Sequence, residues 1–141
     1  MERRQDTPIT DPLPDALPPG IHRLHSREET THVLAHLDRA GWCARYVDLA
    51  GALDKPGILA AFQTGLELPS WFGHSWDALA DSLRDLGWLA PGPRGRAIVI
   101  RGAGRLDTGT EHDRAQVEDI LDEAVDSFAA TDTPLVVLLR R

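Results

Sequence analysis

The sequence predicts an α/β domain in which a parallel sheet of three to four strands is packed with four to five helices. Two observations support this fold class. Short apolar segments alternate with longer segments whose apolar residues recur at helical spacing. The segment 97–101 is strongly β-branched and 135–139 is wholly apolar. Strands of that kind belong to parallel sheets that are covered on both faces.

Predicted strands and helices follow one another in the order that such a sheet needs. Strands are predicted at 21–24, 42–50, 97–101 and 135–139. The segments between them have the apolar spacing of helices with one buried face. In the last helix the apolar residues are Val117, Ile120, Leu121, Ala124 and Phe128.

Certain residues mark where the predicted helices begin and end. Ser26 and Glu29 have the spacing of a capping box before the first helix, and Gly41 suits the position after its last turn. Asp54 and Ser75 are predicted N-caps of the next two helices, because their side-chain oxygens can accept hydrogen bonds from free backbone amides.

A chain of 141 residues is most simply one domain, large enough to bury a core. Residues 1–19 contain five prolines and few large apolar groups, which predicts a flexible Pro-rich leader. Residues 20–141 are predicted to form the folded domain.

Charge and composition exclude several classes of function. The net charge of −7 argues against a direct nucleic-acid partner, which needs clustered Lys and Arg, and permits a basic protein partner. No apolar run reaches the length of a membrane span, and the N-terminus lacks the apolar core of a secretory signal. The single cysteine, Cys43, requires no oxidising compartment. We therefore expect a cytoplasmic protein without membrane contact.

The stretch "LPSWFGHSWDALADSLRDLGW" at 68–88 combines large aromatic residues with acid. Its helical part carries an aspartate every four residues, at Asp77, Asp81 and Asp85. These acids lie roughly opposite Leu79, so the leucines are predicted to face the core and the acids to face solvent. An ordinary solvated helix face explains the acids. The adjacent aromatics Trp71 and Phe72, however, are typical of a protein-binding surface.

A second acidic segment occurs later in the chain. Residues 111–126 contain seven acidic residues and one arginine. A solvated helix face again explains most of them. If this helix packs beside the first, the two acidic faces would merge into a negative field that attracts a basic partner.

No arrangement typical of catalysis or metal binding is evident. His32 and His36 could hold a metal from one helix, but the Glu of a His-Glu-x-x-His motif and a third ligand are lacking. There is no Gly-x-Ser-x-Gly elbow and no phosphate-binding loop with Lys. We therefore expect no enzyme, no cofactor and no bound metal; a metal hydrolase that uses the His pair or the aspartates is a remote alternative.

The stretch resembles the signature of the barstar family of ribonuclease inhibitors, Pro-x-aromatic-aromatic-Gly-x-x-x-Asp-Ala-Leu-x-Asp. The residues at these positions are Pro69, Trp71, Phe72, Gly73, Asp77, Ala78, Leu79 and Asp81. The order of strands and helices also agrees with that family over residues 44–139. Residues 20–43 are then an extra strand–helix unit that precedes the family core.

The resemblance implies a barstar-like protein that inhibits a secreted bacterial ribonuclease in an equimolar complex. The enzyme would be barnase-like or otherwise guanyl-specific, and the inhibitor would act as an immunity protein that protects the producing cell. Asp81 is implied as the central acid that fills the phosphate site, with Asp77 beside it and Glu123 supplied from the later helix. The implied loop contacts are Trp71, Gly73, Ser75 and Trp76.

Several positions depart from the family pattern. Ala80, one of the expected ribonuclease-binding positions, stands where the family has an aromatic residue. Trp76 replaces a smaller apolar residue, and His74 and Ser75 stand where an acid and an asparagine are familiar. Arg84 lies one turn beyond Asp81 and is expected to face a basic partner unfavourably unless it turns away. These changes indicate a different cognate ribonuclease. They also leave an alternative function, a non-inhibitory binding module that uses the same acidic surface on another basic protein.

Overall fold

A computed structural model describes residues 8–52, 54–69, 72–102 and 111–141. Its strands are β1 (Ile9–Thr10), β2 (Gly20–His25), β3 (Trp42–Asp48), β4 (Gly95–Arg101) and β5 (Leu135–Arg140). Its helices are α1 (Thr30–Ala40), α2 (Lys55–Gly65), α3 (Trp76–Asp85) and α4 (Glu111–Ala129). From β2 onward, a helix or a helix pair separates each strand from the next, as the sequence pattern predicted.

All strand pairs in the sheet are parallel. The strand order is β1-β2-β5-β4-β3, so β5 lies in the centre between β2 and β4. In the register of the central strands, Ala97 is opposite Val136 and Ile98 is opposite Val137. The predicted α/β class with a parallel sheet is confirmed, although the described sheet has five strands rather than three to four.

Helices cover the sheet on both faces, which explains why its central strands are apolar throughout. Ile98, Ile100 and Val137 are buried in a core shared with α2, α3 and α4. The alternate residues Val99 and Val136 are buried in a second core shared with α1. Successive side chains of a strand point to opposite faces, so both sets must be hydrophobic. The acidic helices α3 and α4 therefore lie on the face opposite α1.

The fifth strand comes from the predicted leader. Ile9 and Thr10 pair with Leu24 and His25 of β2, and Leu17 is only 6% exposed. The described part of the leader, residues 8–19, is thus built into the fold. Prolines exclude a helix from this segment, but they do not prevent an extended chain from packing over an apolar surface.

Polar contacts also hold this segment to the domain. The Trp42 indole nitrogen donates a hydrogen bond to the Asp15 carbonyl oxygen at 2.8 Å. The Asp11 carboxylate accepts bonds from the Ser26 hydroxyl and from the Arg27 amide. These two hydrogen bonds lower the pKa of Asp11.

The predicted helix boundaries are confirmed at three of four places. Asp54 caps α2 by accepting from the Gly57 amide at 2.9 Å. Ser75 caps α3, and Gly41 ends α1 in the left-handed conformation. The capping box predicted for α1 is wrong: Glu29 holds the N-cap position without a side-chain cap. The Ser26 hydroxyl oxygen instead accepts from the Glu28 amide at 3.0 Å, while the hydroxyl donates to Asp11.

Replacing Leu17 tests whether the N-terminal segment contributes to stability. We expect Leu17→Ala to lower the free energy of unfolding by about 2 kcal/mol or more, because it leaves a cavity over the sheet. Leu13→Ala is the matched control; Leu13 is only partly buried and should have a smaller effect. Urea denaturation measures both. Equal stability of Leu17→Ala and the unmodified protein would contradict the described packing.

Candidate functional site

The start of α3 is set by hydrogen bonding and charge. The Ser75 hydroxyl oxygen accepts from the Ala78 amide at 3.0 Å, which satisfies one of the free donors of the first turn. Asp77 lies in that first turn, where the helix macrodipole favours a negative charge. The cap holds α3 in one position relative to the loop before it.

The two faces of α3 differ sharply in burial. Leu79 and Leu83 are fully buried, and Leu86, in the left-handed conformation, ends the helix inside the same core. On the opposite side Asp77 and Asp81 are exposed; the Asp81 side chain is 74% exposed. Both carboxylates are therefore accessible to a visiting molecule.

Helix α4 packs beside α3 and adds a further carboxylate to this side of the molecule. The predicted apolar stripe of α4, including Val117, Leu121 and Ala124, is buried. Glu123 is exposed. We use the term acidic surface for Asp77, Asp81 and Asp85 of α3 together with Glu123 of α4.

Arg84 joins the two helices within the acidic surface. One guanidinium nitrogen donates a hydrogen bond to Asp81 Oδ1, and the other terminal nitrogen donates to Glu123 Oε2 at 3.4 Å. Asp81 and Glu123 therefore lie within reach of a single guanidinium group, although 42 positions of sequence numbering separate them. The sequence placed Arg84 beyond Asp81 on the helix, but it gave no sign of this double contact.

The described aromatic residues of the stretch serve mainly the core. Phe72 is only 5% exposed, so this one of the two adjacent aromatics belongs to the core rather than to a binding surface. Its amide donates a hydrogen bond to the Pro69 carbonyl oxygen at 2.9 Å. Trp76 is half-buried, with the Lys55 ammonium 5.6 Å from its ring centroid. Trp71 lies outside the described residues.

The loop before α3 is held against α2. His74 adopts a left-handed backbone conformation, with φ of 51°. Its Nε2 is hydrogen bonded to Oε1 of Gln63 on α2, and its ring meets Phe72 edge-on. Gly73, between Phe72 and His74, is exposed. The contacts of His74 thus hold the residue before the Ser75 cap against α2 and Phe72.

Ala80 lies between the acids and the core. It is half-buried and packs against the same core as Leu79. The small side chain leaves little apolar area for a partner to contact at the place where the family pattern has an aromatic ring. This part of α3 therefore exposes less apolar area than the family pattern implies.

The described residues contain no group of three or more His, Cys, Asp or Glu that could hold a metal. His32 contacts Glu28 at 3.3 Å, and His36 contacts Asp15 at 3.1 Å. The two histidines thus have separate acidic partners. Within the described ranges no helix has both the length and the apolar character needed to cross a membrane.

Residues 42–140 match the profile of a family described as Barstar (barnase inhibitor). The chain belongs to the Barstar family. The matched range begins with the first residue of β3 and ends with the last residue of β5, so it includes α3 and α4 and excludes β1, β2 and α1. No curated protein gives a significant match. Members of the Barstar family are ribonuclease inhibitors rather than enzymes.

Replacing Ser75 tests how far the cap stabilises α3. We expect Ser75→Ala to lower the free energy of unfolding by about 1 kcal/mol, because the Ala78 amide loses its acceptor. Ser127→Ala is the control. Its hydroxyl donates to a carbonyl within α4 and its loss should change stability by less than about 0.5 kcal/mol. Thermal and urea unfolding measure both; equal effects of the two variants would contradict the capping role.

Proposed function

We propose that the protein inhibits a secreted bacterial ribonuclease of the guanyl-specific class by covering its active site in an equimolar complex. One observation carries the proposal: in a chain of the Barstar family, Asp77, Asp81 and Glu123 are exposed on two adjoining helices. In this proposal the protein acts in the cytoplasm and protects the cell that makes the nuclease.

Carboxylates suit this role because of what a ribonuclease must bind. A ribonuclease holds the phosphate groups of RNA with Arg, Lys and His side chains, which form strong charge-assisted hydrogen bonds to oxygen anions. A carboxylate makes the same kind of bond and offers no phosphodiester to cleave. Asp81, the most central acid in the family pattern, would occupy the phosphate site, with Asp77 and Glu123 beside it.

The rigidity of the acidic surface supports tight binding. Asp81 is carried by a helix whose opposite face is anchored through Leu79 and Leu83, and whose start is capped by Ser75. Few backbone groups need to be ordered when a partner arrives, so less of the binding free energy is lost. The acids of α3 and α4 also attract a basic enzyme before contact.

The loop before α3 adds a second zone of contact. Gly73 is exposed and Ser75 and Trp76 are partly exposed, so the described loop contacts implied by the family pattern are accessible. With Trp71, which belongs to the same proposed set, they would contact the enzyme beside its phosphate site. The proposed site thus consists of acids at the centre and a short loop at the rim.

Titration of a barnase-type ribonuclease tests the proposal. We expect activity to fall to zero near an equimolar ratio, and Asp81→Ala to weaken binding about thirtyfold or more, equivalent to at least about 2 kcal/mol. The matched control is Asp38→Ala. It removes the same charge from an exposed position on α1, behind the sheet, and should bind almost as well as the unmodified protein.

Two results would contradict the proposal. If Asp81→Ala and Asp38→Ala weaken binding equally, the net charge of the protein, and not the acidic surface, determines its affinity. No inhibition of any guanyl-specific ribonuclease would favour the second candidate, a non-inhibitory module for another basic protein. The small Ala80 and the cation of Arg84 are the features that favour this alternative. Recovery of a non-nuclease by affinity capture from the producing organism would support it.

A further inference from the structure

Arg84 introduces a positive charge into a surface that is otherwise acidic. It contacts Asp81 and Glu123, the two acids that the proposed function places nearest the enzyme's phosphate site. Its side chain is 43% exposed. A guanidinium group has five N–H donors. These two contacts therefore leave donors available to an acceptor on a partner.

A partner that presents only cations meets an unfavourable contact here. Its Arg or Lys side chains would approach Asp81 and Glu123 while Arg84 occupies part of the same carboxylates. The partner's cations would then have to share these acids with Arg84 or displace it. In a contact from which water is excluded, the repulsion between like charges is much stronger than on a free surface.

A purely structural role does not account for the position of Arg84. The packing of α3 rests on leucines that are fully buried, and the two ion pairs of Arg84 are exposed. Exposed ion pairs contribute little to stability because water and salt screen them. Once a partner removes the water, however, a charge left without a group of opposite sign is strongly unfavourable, so Arg84 can discriminate between partners.

We propose that Arg84 selects the enzyme: the acidic surface favours a basic cleft that also presents a carboxylate opposite Arg84, and disfavours a cleft lined by cations alone. The proposal rests on the proposed function and adds the chemistry of the partner. Asp81 and Glu123 bind cations of the enzyme, and Arg84 binds its carboxylate. Recognition then depends on an alternating arrangement of charges rather than on total charge.

A double-mutant cycle tests this selection. The inhibitor variants are Arg84→Gln and the control Arg23→Gln, which removes the same charge from an exposed position on β2. Each is measured against a barnase-type ribonuclease and against a form of that enzyme whose cleft carboxylates are replaced by amides. Inhibition constants and association rates are determined by titration and stopped-flow mixing. Thermal unfolding of each inhibitor variant shows whether it is folded.

We expect the amide enzyme to bind the unmodified inhibitor and Arg23→Gln about tenfold more weakly than the native enzyme does. For Arg84→Gln, the affinity for the amide enzyme should be less than about threefold lower than the affinity for the native enzyme. This variant has no guanidinium group that the amide enzyme would leave without a carboxylate partner. If all three inhibitors still inhibit the native enzyme but lose affinity for the amide enzyme by the same factor, the role proposed for Arg84 is overturned and the proposed function stands. Absence of inhibition in every pairing would overturn the proposed function, and this inference with it.

Discussion

Burial of the leucine stripe of α3 is the constraint on which the acidic surface depends. Leu79 and Leu83 are fully buried, and each fully buried leucine contributes about 1.5–3 kcal/mol. Repulsion between acids four residues apart costs only a few tenths of a kcal/mol per pair. The core therefore decides the orientation of the helix. Because successive residues turn by about 100°, the aspartates must then point away from the sheet.

Much of the fold could be predicted because it follows from local patterns. Apolar strands between amphipathic helices indicated a parallel sheet, and Asp54 and Ser75 marked two helix starts correctly. The two residues of β1 are too few to show a period, and the prolines around them indicated an unstructured leader. The Ser26 cap was wrong for a different reason: its hydroxyl oxygen accepts from the Glu28 amide, and α1 begins only after Glu29.

The candidate site was predictable only where a single helix determines it. Periodicity indicated the exposure of Asp77 and Asp81, since both depend on α3 alone. The contact of Arg84 with Glu123 depends on how α4 lies beside α3, and no local pattern encodes that distance. The burial of Phe72 depends on its packing in the core formed by several elements, which the sequence of one loop does not determine. The family resemblance pointed to Glu123 as a site residue, but it gave no indication of a guanidinium between the acids.

The segment that precedes the matched family range contributes to the sheet and the core beneath the acidic surface. Strand β2 extends the sheet next to β5, and its Ile21 belongs to the core under α2, α3 and α4. Helix α4, which carries Glu123, contacts β2 as well as β5. Strand β2 thus enlarges the sheet surface against which α4 packs. Helix α1 covers the opposite face and leaves the acidic surface open.

The central position of β5 in the sheet affects when the protein can fold during its synthesis. This strand follows every other described strand in the sequence, yet it is the one that joins β2 to β4. Until the ribosome has released residues 135–140, the sheet remains in two separate parts. Both cores then lack the buried side chains that β5 contributes. Pairing between distant segments is slow to form. A translation product that stops before β5 would consequently lack the part of the sheet on which α4 packs beside α3.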